Sequence, residues 1–275
     1  MTRSSKILKF FIYFFSILTL LSLVFVVTFV LIKGVPYLEP KLFSLKYTSE
    51  NVSMFPAIIN TLIMVLLSLI VAVPLGIMTA IYLAEYADKE NKIVKIVRVT
   101  ADTLSAIPSI VYGLFGMLFF VIYLKWNISL LAGAMTTAIM ILPLIMRSTE
   151  EALIAISQSL RDASFGLGAG KVRTIVRIVL PTAMPGILAG VILGIGRIVG
   201  ETAALLFTSG TVAEVPKKIV GPASGGRTLA LHMYALSSEG MNVNQAYATG
   251  VILLVLILLI NGLSTLMANK LGRNK

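Results

Sequence analysis

The sequence predicts an all-α membrane protein with six transmembrane helices, both termini cytoplasmic and a cytoplasmic helical hairpin between the fourth and fifth spans. Three observations carry that prediction. Hydrophobic residues make up 57% of the 275 and charged residues only 13%, with a mean hydropathy of +0.96, whereas soluble domains carry about 25% charge. Six runs are apolar over close to the roughly 20 residues a helix needs to cross a bilayer. The basic residues also fall unevenly between the connections. A soluble globule this apolar could not cover its own surface, so lipid is the solvent for most of the chain. Zero cysteines exclude a disulfide scaffold and a Cys-ligated metal or iron–sulfur site, and one histidine excludes a histidine cluster.

The chain reads as a single transmembrane domain over residues 1–275, with spans at 10–32, 56–84, 105–124, 129–146, 183–207 and 245–268. The first follows Arg3, Lys6 and Lys9, which resembles the basic region of a signal peptide. Its charge-free run from Phe10 to Ile32 exceeds the 7–15 residues of a signal core, and no small-residue cleavage pattern closes it, so it reads as an uncleaved anchor. The second, Pro56 to Ala84, is free of charge, contains Pro74 and Gly76, and carries the polar pair Asn60-Thr61 at its outer end. The third is short from Pro108 to Leu124 and is expected to recruit residues upstream. Lys125 to Ile128 then makes a tight hairpin, with Trp126 at the interface, into the fourth span. Pro143 in the fourth span and Pro74 in the second are expected to kink their helices. The fifth is apolar except for Arg197 and Glu201, and its Gly186, Gly190 and Gly194 repeat at the spacing that lets helices pack backbone to backbone. Gln245 to Ala268 closes the set.

Fifteen of the 23 basic residues lie at the two termini and in the 85–106 and 147–181 connections. Among them are Lys89, Lys92, Lys95, Arg98, Arg161 and Lys171, together with Lys270, Arg273 and Lys275 near the C-terminus. The positive-inside rule places that side in the cytoplasm. The net charge of +11 is therefore a topology signal and not a nucleic-acid surface.

Two connections are long. The outer 208–244 segment is rich in Gly, Pro and Ser; it caps the outer mouth or docks a soluble partner, and its His232 reads as a polar surface residue. The inner 147–181 segment reads as a helix, a turn with Gly166, Gly168 and Gly170, and a basic amphipathic helix from Val172 to Val179. Pro181 then opens the fifth span, a position where proline is tolerated. The glycines do not make a nucleotide site. Gly170-Lys171 is followed by Val172 where a P-loop needs Ser or Thr, and Phe165 stands where the first glycine should be.

The inner hairpin resembles a motif of the permease subunits of bacterial ABC importers: Glu-Ala-Ala, three residues, Gly, nine residues, then Ile-x-Leu-Pro. Here it reads Asp162-Ala163-Ser164, three residues, Gly168, nine residues, then Ile178-Val179-Leu180-Pro181, with Asp and Ser as the two departures. The resemblance implies that Asp162, Ala163, Ser164, Gly168, Ile178, Leu180 and Pro181 form the loop that docks on a separate ATPase subunit. A narrower resemblance, to phosphate-importer permeases, rests on Ile107–Gly116 and Gly196–Phe207. It implies a homologous PstC-like permease, two copies of a PstB-like ATPase, a periplasmic PstS-like phosphate-binding protein, and residence in the bacterial inner membrane. It also implies no cofactor in this chain, since ATP is bound by the partner.

Arg197 and Glu201 are costly in a membrane, about 2.5–3.5 kcal/mol each even on a lenient scale. Four residues apart, they share a helix face and can neutralise each other. The alternative is an anion path lined by Arg197, Glu201 and Thr202, in which the guanidinium fork suits phosphate oxygens and Glu201 holds that fork when no anion is present. The resemblance to phosphate permeases favours the path. Thr208 is a weaker candidate, because membrane threonines mostly satisfy their own helix. Sulfate, molybdate or amino-acid cargo remains open on the hairpin motif alone. A secondary transporter would show internal repeats, which the sequence lacks, and one buried acid without Cys leaves no constellation for an intramembrane enzyme.

Overall fold

The computed structural model describes residues 3–88, 90–238, 240 and 242–273. Lys89 and Lys275, counted above for topology, lie outside the described residues, as do the side chains of Arg3, Lys6, Lys270 and Arg273. Helices account for nearly all the regular structure; the β contact among the described residues is an isolated bridge between Ser129 and Ser224. The α-helices are α1 (Arg3–Gly34), α2 (Phe55–Ile81), α3 (Lys92–Ser105), α4 (Ser109–Gly116), α5 (Leu130–Ile154), α6 (Gln158–Gly166), α7 (Lys171–Thr174), α8 (Leu180–Val199), α9 (Ala203–Thr208), α10 (Leu229–Ser238) and α11 (Val243–Arg273). Three π-helical turns extend them: Tyr82–Tyr86 after α2, Met117–Tyr123 after α4, and Ile175–Val179 between α7 and α8.

Five helical runs are long and apolar enough to cross a membrane: Ile7–Tyr37, Phe55–Tyr86, Leu130–Ile154, Lys171–Val199 and Val243–Leu266. A sixth arises if the bent pair of α3 and α4 with its π turn is counted as one. The core lies where α2, α5 and α8 meet, around Met64, Ala72, Ile141, Ile145 and Ile198. Small residues make the contact possible. A Cβ on Gly186 would meet that of Ala152 at 2.6 Å, Gly190 sits against Ser148, and Gly194 faces Ile141 and Ile145. The Gly-x-x-x-Gly stripe of the fifth span thus packs on α5. The Ser68 and Thr137 hydroxyls share a hydrogen bond of 2.7 Å between α2 and α5, so polar groups add to this dry contact. On the far side, α1 leans on α11 through Phe29 and Tyr247, with ring centroids 5.9 Å apart, and exposes the rest of its apolar surface.

The structure departs from the sequence-based expectations at four places. The third span does not extend upstream: α3 stops at Ser105, Pro108 caps α4, and the axis turns by 102° between them. Proline disfavours helical geometry in the residue before it, which sets the break at Ile107. The fifth span is not one helix to Phe207. It ends at Val199, and α9 restarts after Gly200, Glu201 and Thr202. Pro181 stands in the first turn of α8 as expected, but it does not open the helical run, which is continuous from Lys171. Its missing N–H cannot reach the Arg177 carbonyl four residues back, and the preceding turn is wound as π-helix. Finally, the outer segment does not leave His232 at the surface. It carries α10, and its stretch from Ser224 to His232 is buried.

Candidate functional site

Asn60 and Thr61 explain how the outer segment folds back. Asn60 Nδ2 donates to the Glu214 and Arg227 carbonyls at 3.0 and 3.2 Å, and Thr61 Oγ1 accepts the Leu229 N–H at 2.8 Å. Two polar residues at the outer end of α2 thus receive backbone groups that would otherwise be unpaired in the interior. His232, expected at the surface, is instead fully buried in α10. Burial lowers its pKa to about 3, the nearby Arg227 charge pushes the same way, and the Val52 backbone pulls weakly upward. The Arg227 guanidinium is buried over the Tyr47 ring, 4.6 Å from its centroid.

Deeper in the fold, the expected pairing of Arg197 with Glu201 is absent. Gly200 and Glu201 fall in the break between α8 and α9, so the two side chains no longer follow helical spacing. Glu201 turns inward, and its Oε1 accepts the Ala204 N–H at 2.9 Å, capping α9. A carboxylate there satisfies an orphan donor and faces the positive end of the short helix. Arg197 is left half-buried, without a hydrogen bond or ion pair among the described residues. A Cβ on the neighbouring Gly196 would meet nothing within 4 Å. Thr202 faces elsewhere, lining a cavity of about 420 Å³ between α1, α10 and α11 with Val30, Met233 and Tyr247. The Thr208 hydroxyl donates to the Ala204 carbonyl at 2.8 Å, satisfying its own helix.

At the other end, α6, α7 and the turn between them form the hairpin. Asp162 and Ala163 are exposed, with Asp162 Oδ1 accepting from Gln158 Nε2 at 3.1 Å. Ser164 is buried, and its hydroxyl meets that of Thr174 at 2.8 Å, which ties the two arms together. Gly168 has φ +81°, the left-handed region where a side chain is strained, so glycine is what lets the chain reverse here. Leu167 beside it is 90% exposed. Ile178 lines a groove of about 430 Å³ with Leu167, Ala169, Arg173 and Arg177, while Leu180 and Pro181 are half-buried where the arm enters the bundle. The tip of the hairpin is thus apolar and exposed, beside a groove lined by Arg173 and Arg177.

The hairpin is moored by charges that the sequence reading used only for topology. Arg161 Nη2 and Nε reach Glu85 Oε1 at 2.6 and 3.2 Å, and the same guanidinium donates to the Leu153 and Ile156 carbonyls at 2.9 and 2.7 Å. Lys171 lies over the Tyr86 ring at 4.5 Å. Close by, Arg98 meets buried Glu150 at 2.7 Å and Arg147 meets Asp102 at 3.1 Å. The available signal was the scarcity of acids: Glu85, Asp102 and Glu150 all sit beside the inner ends of predicted spans, within the basic connections themselves.

Residues 72–273 match the family of binding-protein-dependent transport system inner membrane components. The chain belongs to that family. The matched stretch includes the hairpin and both charged residues of the fifth span. The permease is 33% identical over 235 residues to the probable ABC transporter permease protein YqgI of Bacillus subtilis, covering 78% of this chain and 79% of that one. It is 35% identical over 231 residues to the phosphate transport system permease protein PstA of Pasteurella multocida, covering 83% and 81%. With PstA 1 of Mycobacterium tuberculosis strain H37Rv it shares 33% over 207 residues, covering 75% and 67%. Among solved structures, a bacterial alginate ABC transporter chain superposes with a TM-score of 0.71 at 17% identity, covering 98% and 96%. A chain of the MetNI methionine ABC transporter gives 0.63 at 20% identity, covering 80% and 94%. Those likenesses establish the ABC-importer permease fold.

Proposed function

We propose that this permease is the PstA-type subunit of an ATP-driven phosphate importer of the bacterial inner membrane, with both termini in the cytoplasm. Its partners are a homologous PstC-like permease, two PstB-like ATPase subunits and a periplasmic PstS-like binding protein. The ATPase subunits supply the nucleotide site, and the permease carries none of its own. Likeness to relatives named as phosphate permeases supports the cargo. The observation that carries the anion chemistry is Arg197, a half-buried guanidinium with no carboxylate bound to it and open space beside Gly196.

Arg197 offers its donor fork to two oxygens of a passing oxyanion. Glu201, which caps α9 and does not bind the guanidinium, holds the break in the fifth span in shape and adds a negative charge near the path. That charge opposes tight anion binding, as release of the cargo requires. Thr202 belongs to the same break and positions its backbone. The hairpin residues Asp162, Ala163, Ser164, Gly168, Ile178, Leu180 and Pro181 receive the ATPase, whose movement reaches α8 through the continuous helical run from Lys171.

A second reading is an ABC permease for another cargo. It is favoured by the folds that superpose on this one, which belong to transporters named for alginate and methionine. Labelled-phosphate uptake into proteoliposomes holding the complex separates the two. ATP-dependent uptake not competed by sulfate or molybdate is the expected result. Uptake driven by an ion gradient alone, or ATP-driven uptake of a different solute, refutes the phosphate reading. Arg197→Gln should leave assembly intact and lower uptake more than about ten-fold, the loss of one charge-assisted bidentate contact. Wild-type uptake in that variant removes Arg197 from the path.

A further inference from the structure

α3 has two faces of different chemistry. Val94 and Ala101 are buried against the bundle, Arg98 reaches Glu150, and Asp102 reaches Arg147. The opposite face is apolar and open: Ile93, Ile96 and Val99 are 69%, 63% and 57% exposed. Lys92 and Lys95 flank it, and with Ile96, Val99 and Thr100 they line a groove of about 420 Å³. Asn91 caps the helix, its Oδ1 accepting the Ile93 N–H at 2.9 Å, so the first turn carrying Lys92 and Lys95 is well formed. The only acid on α3 is Asp102, already engaged; in the preceding loop Asp88 accepts the Glu90 N–H at 3.0 Å.

Orientation supplies the second observation. α3 is bent 102° from the apolar run Ser109–Tyr123, the part of the pair that continues toward the fourth span. A helix set across the spanning direction lies close to the plane of the membrane, and its pairing with α5 puts it at the hairpin's end of the molecule. In-plane helices with an apolar face and lysines at its edge bury that face at the headgroup boundary and attract anionic lipid. Water is a poor solvent for three neighbouring branched side chains, and lysine stems can lie on apolar surface while their ammonium groups reach headgroups.

We infer that α3 is an in-plane membrane anchor whose Lys92, Lys95, Ile93, Ile96 and Val99 face binds anionic phospholipid of the leaflet on the hairpin's side. It holds the inner ends of α2, α4 and α5 at a fixed depth while the hairpin moves. The inference is independent of the cargo.

The chain has no cysteine, so Ile96→Cys can be labelled uniquely with bimane and reconstituted with cysteine-free partner subunits. Quenching by brominated phosphatidylglycerol, brominated phosphatidylcholine and aqueous iodide is then compared. The anchor requires strong quenching by both lipids, little by iodide, and a preference for phosphatidylglycerol at equal mole fraction. Lys92→Gln and Lys95→Gln should each reduce that preference by about five-fold, or ~1 kcal/mol per lysine. Quenching by iodide in place of lipid would mean the face is in water. Weak quenching by all three would mean that the ATPase or the second permease covers it. Equal quenching by the two lipids, unchanged in the lysine variants, would remove the anionic specificity. Any of these three results overturns the proposal.

Discussion

Removing the carboxylate of Glu85 should loosen the hairpin without dismantling the bundle. Glu85 stands in the π turn that ends α2, and Arg161 stands in α6, so their contact at 2.6 Å joins the hairpin to a core helix. Both side chains are nearly out of solvent, at 8% and 11% exposure, so screening by water is slight. Removing one partner of a buried pair costs about 3–5 kcal/mol. Glu85→Gln keeps an acceptor oxygen, and Arg161 keeps the Leu153 and Ile156 carbonyls, so the cost belongs near about 3 kcal/mol. Arg161→Ala leaves the carboxylate and both carbonyls unpaired, and belongs near about 5 kcal/mol. Thermal denaturation of the purified complex reads the stability, and uptake per ATP hydrolysed reads the coupling. Glu85→Gln should lower the midpoint modestly and uptake per ATP clearly; Arg161→Ala should lower both further. A Glu85→Gln complex with an unchanged midpoint and unchanged uptake per ATP would refute the mooring role of the pair.

Two further outcomes follow from packing and from burial. A methyl group added at Gly116 would collide with Thr136 and come within 2.8 Å of Thr208 Cγ2. Gly116→Ala should therefore cost about 1–3 kcal/mol, visible as a lower denaturation midpoint that Thr136→Ala partly restores. For His232 the folded pKa, about 3, lies below the unfolded 6.5. The unfolded chain then binds the extra proton between those values, so this residue's contribution to stability falls as pH drops from about 6.5 toward 3. The loss approaches about 1.4 kcal/mol per pH unit. His232→Leu should flatten that part of the acid profile, and an unchanged difference between pH 7 and pH 5 would contradict the burial.

Several features of the fold are written plainly in the chain because lipid imposes simple rules. The long apolar runs needed no tertiary context to be recognised as helices, and the glycine spacing of the fifth span announced close packing. Side-chain direction at a helix break is a different matter. Arg197 and Glu201 lie four apart, and only the backbone at Gly200 to Thr202 decides that Glu201 caps α9 and leaves Arg197 unpaired. The same holds for His232 and Arg227. Their burial depends on Asn60 and Thr61, which lie more than 150 residues away in sequence, catching the returning chain. The bend at Pro108 ran against the expectation that the third span continues upstream, and its 102° turn sets α3 beside α5. Arg161 was visible only as a charge, since its partner Glu85 lies 76 residues earlier.

The placement of α1 separates two steps in the life of this chain. None of its spanning window is buried, against 67% for α5, so what α1 gains comes from entering lipid and little comes from joining its neighbours. Insertion and assembly are then distinct stages for this helix. Substitutions along its surface that preserve hydrophobicity leave the core's cooperativity untouched, while a charge at its midpoint acts on membrane entry before any tertiary contact exists. The matched family region begins beyond it, at residue 72. α1 is thus held in place by lipid more than by the helices beside it.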